Sequence, residues 1–200
     1  MEVKKTDEMT KENEILNALR QKVLSLGAFR AEIVQVKDIS MDASFRKLCE
    51  ANACGNYGQN YTCPPDAGDI HELMEKIRTY DKALVYQTVG ELEDSYDFEG
   101  MMEVAARHRQ LVQDLWDVTD KMHLEGILHL GAGGCNLCSV CGKRNGTPCP
   151  HPDRALASLE TYGINVSLLA RQAGMRYING QDTVTYFGAV FVPANGTASA

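Results

Sequence analysis

The sequence lacks most of the usual signs of a binding or catalytic protein. No apolar run approaches the ~20 residues that cross a bilayer. There is no basic stripe with interleaved aromatics: 27 acidic residues against 20 basic ones leave a net charge of −7. Holding nucleic-acid phosphates needs the opposite balance, so nucleic acid is excluded as the main partner, and nothing points to a membrane. The opening residues, Met1 to Glu8, are charged and carry no apolar core of a secretory signal, so a cytoplasmic location is expected. There is no Ser/His/Asp order, no phosphate loop and no paired-carboxylate motif. The acidic stretch Glu91–Asp97 lacks the spacing of a calcium loop and reads as a solvated turn. No internal repeat appears.

Cysteine is present instead. Seven cysteines, an odd number, in a chain expected in a reducing compartment mean metal or redox chemistry and not a disulfide framework. Asn145, Asn165 and Asn195 begin glycosylation sequons, which are chance matches in that compartment. Four of the cysteines, Cys135, Cys138, Cys141 and Cys149, form C-x2-C-x2-C-x7-C-P. Three thiolates at a spacing of two can each take a different iron of a cubane, and a later Cys-Pro completes the bacterial ferredoxin run. The reading is a 4Fe–4S cluster. Structural zinc and free thiols are the alternatives, and zinc more often uses two separated C-x2-C pairs. Gly131, Gly133, Gly134, Gly142 and Gly146 let the backbone wrap closely and aim N–H groups at sulfur. Lys143 and Arg144 either add positive charge beside an anionic cluster or are solvated loop charges. His151 is read as lying beside the ligands, because four thiolates suffice. Gly131-Ala132-Gly133-Gly134 after a strand hints at a dinucleotide loop, but the third glycine falls one place early and cysteines follow where a helix should start.

Cys49, Cys54 and Cys63 form a second set, with four and eight residues between them. Three thiolates suit a second cubane with one open iron, a Lewis acid for a substrate oxygen, nitrogen or sulfur. Zinc held with a histidine, or buried structural thiols, are the other readings. A fourth ligand for this site would come from His71, His129 or a carboxylate. Tyr57 and Tyr61, inside the same loop, are read as packing over the metal, with donation of a phenolic proton as the alternative.

Around these blocks the chain reads as one domain over residues 11–192, with cysteine loops at 49–68 and 131–152 and disordered ends at 1–10 and 193–200. A helical period runs from Lys11 through Ile15, Leu16, Leu19 and Val23 to Gly27. Strands are expected at 29–36, 82–89, 127–130 and 183–192. Asp42 or Ser44 caps a short helix running into Cys49, Asp69 opens another, and the longest spans 98–124. His108 sits on the buried face of that helix and reads as a core histidine. Pro152 is expected to start a helix carrying Leu156 and Leu159 as far as Gly163, and Asn165 to cap the next. The fold class is an α/β or α+β sandwich: a mixed or mainly antiparallel sheet of about four strands, with flanking helices and the cysteine loops at one end.

With both loops in view, the sequence resembles the predicted metal-binding proteins grouped as domain of unknown function 2284. The matching residues are Cys54-Gly-Asn-Tyr57-Gly58 through Cys63-Pro-Pro65, then Cys135-x2-Cys138-x2-Cys141-Gly142 through Cys149-Pro150. The resemblance runs from the first strand to Val192. It implies a small cysteine-rich protein of anaerobes and archaea that binds iron–sulfur clusters, and it implies no reaction. The expected function is an iron–sulfur redox accessory that hands electrons to a partner protein of an anaerobic enzyme system. The alternatives are an enzyme or binder of a small-molecule ligand at an open iron, and a structural zinc protein.

Overall fold

Two runs rich in β-branched and aromatic residues form the centre of the structure. They are long and apolar on both sides, as strands covered on two faces must be. The computed structural model describes residues 2–193, with side chains from Lys11 onward. The disorder expected of the tail after Pro193 lies outside the described residues. In chain order come α1 (Glu2–Ser25), β1 (Arg30–Gln35), α2 (Phe45–Glu50), α3 (Ile70–Arg78) and β2 (Lys82–Glu91). Then follow α4 (Phe98–Lys121), β3 (Leu128–Gly131), β4 (Ala157–Ser158), α5 (Val166–Gln172) and β5 (Thr183–Val192). Among the described residues no helix is long and apolar enough to cross a membrane.

The five strands form one mixed sheet in the order β1-β2-β5-β3-β4. β1, β2, β5 and β3 pair antiparallel, and β4 joins β3 in parallel. Alternation sorts the side chains to two faces. Ala83 and Val85 of β2 join Phe187, Ala189 and Phe191 of β5 under Ile77 of α3 and Leu169 of α5. Leu84, Tyr86, Val190 and Val192 face the other way, under Leu16, Leu19 and Val23 of α1 and Leu111 and Leu115 of α4. Each such aliphatic side chain contributes on the order of 2 kcal/mol when fully buried. An exposed ion pair such as Arg20–Glu32 contributes at most about 1. The two cores therefore hold the sandwich together. Its middle tolerates a fully buried tyrosine because Tyr86 pairs across the strands with Gly188, where a Cβ would stand 2.5 Å from the ring.

One expected helix is absent. Residues after Pro152 do not coil; Ala157 and Ser158 extend and pair with Leu130 and Gly131, and only a 3-10 turn over Glu160–Tyr162 follows. Leu159 is buried under the sheet, as a helix would also have buried it, so apolar spacing over so short a stretch did not separate the two outcomes. The parallel β3–β4 pair requires a crossover, which in most folds is a helix. Here residues 132–156, the second cysteine loop, make the crossover without one.

Two buried imidazoles fix α4 on the sheet. His108 Nδ1 lies 2.9 Å from Thr88 Oγ1 on β2, and its ring stacks on Tyr186 of β5. His129 of β3 places Nε2 2.9 Å from Thr119 Oγ1 on α4. His108 is thus the core histidine that its helical position predicts. Burial disfavours the charged ring and pushes both pKa values down to about 4.

Both rings are therefore neutral in the fold, and they take up protons on unfolding below the ordinary value of ~6.5. Between about pH 6.5 and 4 the unfolded chain binds more protons, so stability falls as the pH falls through that window. By about pH 5 each histidine accounts for roughly 2 kcal/mol of that loss. Urea unfolding at about pH 7 and about pH 5 is expected to show a smaller loss in His108→Gln and in His129→Gln than in the unaltered chain. An equal loss in all three would assign the titration to other groups.

Candidate metal centre

Each cysteine loop is built from turns. In the first, Cys49 occupies the last turn of α2, and Asn52, in the left-handed region at φ 52°, reverses the chain. Its side-chain oxygen accepts from the Tyr57 amide at 3.0 Å. Successive turns close Gly55 on Asn52, Gln59 on Asn56 and Cys63 on Asn60. Arg46 donates to the Gly68 carbonyl at 2.9 Å and so ties the end of the loop back to α2. In the second loop, Gly133 turns at φ +72° just past β3, and a 3-10 turn over Gly142–Asn145 follows Cys141. A Cβ at Gly142 would lie 2.7 Å from the Thr147 carbonyl, so only glycine lets this loop close on itself.

The four cysteines of the second loop line one recess, together with Asn60, Tyr61 and His151. Burial raises the Cys135 pKa first; the Leu137 amide, donating to the sulfur, lowers it, and the charges of Cys149, Cys138 and Cys141 raise it. All three partner thiols therefore act on Cys135.

In the first loop, Cys63 is buried and its thiol is pushed up to about 11, by burial first and then by Cys54 and Cys49. Cys49 is raised by burial against the opposing charge of Arg46, with Cys54, Glu160 and Glu50 adding to the rise. The three thiols form one group, and Cys63 also feels Cys135. A Cβ on Gly134 would stand 3.1 Å from Cys63 Sγ, so the two groups meet there. Among the described residues no three His, Cys, Asp or Glu side chains converge on a point that would hold a single ion.

The loops are locked together. Asn60 Nδ2 donates to the Cys135 carbonyl at 2.8 Å, and the Cys135 amide donates to Thr62 Oγ1 at 3.0 Å. Asn60 Oδ1 accepts from both the amide and the hydroxyl of Thr62 at 3.1 Å. The Tyr61 hydroxyl donates to the Thr147 carbonyl at 2.9 Å. Lys143 pairs with Asp66 and lies over the Tyr61 ring, while Arg144 donates to the Gly55 carbonyl at 3.3 Å.

Lys143 and Arg144 therefore reach across to the first loop. Tyr61 is both a wall of the recess and a clamp, Tyr57 is half-buried, and His151 is exposed on the recess lining. Of the candidate fourth ligands, His71 sits exposed in the first turn of α3, and His129 is committed to Thr119. The carboxylates that act on Cys49 are those of Glu160 and Glu50. Asn60 and Thr62 escaped the sequence reading. Asn and Thr are ordinary loop residues, and only burial, at 4% and 7% exposure, distinguishes these two.

The family described as predicted metal-binding protein (DUF2284) matches residues 32–192, a span that contains both loops. No curated protein and no solved structure matches the chain.

Removing one partner of a buried hydrogen bond costs about 1–3 kcal/mol, because the other is left unpaired. Asn60→Ala and Thr62→Val each strand one side of the Cys135 peptide. Both variants are expected to fold and to lose bound metal faster than the unaltered chain when challenged with a chelator, as followed by metal analysis over time. Equal loss rates in all three proteins would mean that this bracket does not position Cys135.

Proposed function

The chain belongs to the predicted metal-binding protein family DUF2284, and from that premise we propose that it is an iron–sulfur redox accessory protein. Cys135, Cys138, Cys141 and Cys149 hold a 4Fe–4S cluster, and Cys49, Cys54 and Cys63 hold a second metal group beside it. The observation that carries this reading is the recess: all four cysteines of the C-x2-C-x2-C-x7-C-P run line it, although Cys149 is separated from the others in sequence. The donor set fits. Buried thiols that raise one another's pKa stay protonated on their own, and a cationic iron–sulfur core is what makes them thiolates. The Leu137 amide already donates to the Cys135 sulfur, the kind of contact that tunes such a centre.

When bound, the cluster supplies reversible one-electron transfer. The chain's own residues do the rest. Asn60 and Thr62 fix the Cys135 peptide, Tyr61 closes one wall, and the Cys63–Gly134 contact keeps the two cysteine groups adjacent. The partner is a redox protein of an anaerobic, cytoplasmic system.

A second reading rests on the first loop. Its three cysteines have no fourth thiol, and the carboxylates of Glu160 and Glu50 act on Cys49. An iron held there by three thiolates keeps a position open for a small ligand, which would make the protein an enzyme or a ligand binder. Zinc at the same three cysteines is the structural version of this reading.

Anaerobic purification followed by iron, sulfide and zinc analysis and electron paramagnetic resonance separates these cases. Two cubanes give about eight irons and about eight sulfides per chain, and dithionite reduction develops the signal of a reduced cubane. Cys138→Ser is expected to abolish the signal of the first cluster, and Cys63→Ser to remove only the second metal. Zinc without acid-labile sulfide in the unaltered protein would overturn the iron–sulfur assignment.

A further inference from the structure

Beside the first cysteine loop stands a cation that the fold itself does not neutralise. Arg46 lies on α2 three residues before Cys49, and side chains at that spacing lie on the same face of a helix. One guanidinium nitrogen, Nη1, donates to the Gly68 carbonyl at 2.9 Å. The other two, Nε and Nη2, are buried and have no hydrogen-bond partner. Arg46 forms no ion pair among the described residues.

A guanidinium keeps its charge when buried, and a buried charge without an opposite one is costly. The nearby carboxylates do not supply that opposite charge. Asp69 feels the Arg46 charge, but it is exposed, and its Oδ1 is engaged by the amides of His71 and Glu72 where it caps α3. Glu50 and Glu160 are exposed as well; both act on Cys49 without pairing with Arg46. What remains is sulfur. The Arg46 charge favours the Cys49 thiolate, against burial and against every other group that acts there. Cys54 and Cys63 complete the group.

We propose that Arg46 is the counter-charge of the metal group held by Cys49, Cys54 and Cys63, a positioning residue whose charge retains that metal in the first loop. The inference rests on the reading that these three cysteines bind metal, and goes beyond it by closing the charge balance of the site. A zinc ion and an oxidised cubane core are both dications, so three thiolates on either leave a single negative charge, and one guanidinium cancels it. The role is therefore the same for either metal. It separates Arg46 from Lys143 and Arg144, which reach the first loop from the second and are occupied there by Asp66 and the Gly55 carbonyl.

Metal analysis on the full chain, purified anaerobically, tests this. The metal of the first loop is the difference in content between the unaltered chain and Cys63→Ser. Its loss to a chelator is followed over time in two variants. Arg46→Gln keeps an N–H donor for the Gly68 carbonyl but no charge; Arg46→Lys keeps the charge. Arg46→Gln is expected to release that metal at least about tenfold faster than the unaltered chain, and Arg46→Lys at close to the unaltered rate. The metal of the second loop is expected to leave all three proteins at one rate. Circular dichroism checks the fold of each variant; should Arg46→Gln fail to fold, Arg46→Met, which keeps an apolar stem without the charge, takes its place. Release from the charge-free variant at the unaltered rate would overturn the proposal. So would equally fast release from Arg46→Lys, which would assign the effect to the bond with Gly68. An unaltered chain holding no more metal than Cys63→Ser would instead overturn the reading of the first loop as a metal site, and this inference with it.

Discussion

The peptide unit of Cys135 is held from both sides by a loop that precedes it by more than seventy residues. Asn60 takes its carbonyl and Thr62 its amide, and both side chains are buried. Each bond adds only about 1 kcal/mol net, but leaving such buried groups unpaired costs more, so the bracket is effectively all-or-none. The surface staples are weaker: Lys143–Asp66 is partly exposed, and solvent screens it. Correct placement of the cysteine triplet thus depends on a correctly folded first loop. The two loops are thereby one structural unit.

The topology explains why so much cross-bonding is needed. β3 and β4 run parallel, so the chain must leave the sheet and return on the same side. A helix usually makes that journey and satisfies its own backbone. Residues 132–156 have no α-helix, and long irregular connections order poorly unless something else holds them. Hydrogen bonds from the first loop supply part of that hold. A metal group bound by four thiols from the crossover would supply the rest, in the sense that metal binding is folding free energy.

What the sequence reveals follows the range of the interaction that decides each feature. β2 and β5 are legible because burial on two faces writes itself into every residue. Asp69 and Asn165 are legible as helix caps because a cap acts within three residues. The cysteine spacing is legible for the same local reason. β4 is not: Ala157 extends because Leu130 has a free edge, and nothing near Ala157 encodes that. Asn60 and Thr62 are not legible either, since their partner is Cys135. Lys143 and Arg144 stood undecided between a cluster role and solvation, and both turn out to reach the opposite loop.

α4 is the element that joins the sheet to the loops. His108–Thr88 and His129–Thr119 fix it at two points, on β2 and on β3, and two points on a rigid helix fix both its rotation and its translation. The same β3 that carries His129 ends at Gly131 and starts the cysteine loop. The histidine bonds therefore determine how far α4 stands from that loop. The seating of α4 on the sheet and the approach of the chain to Cys135 are consequences of one packing arrangement, and a change that shifts α4 must alter both.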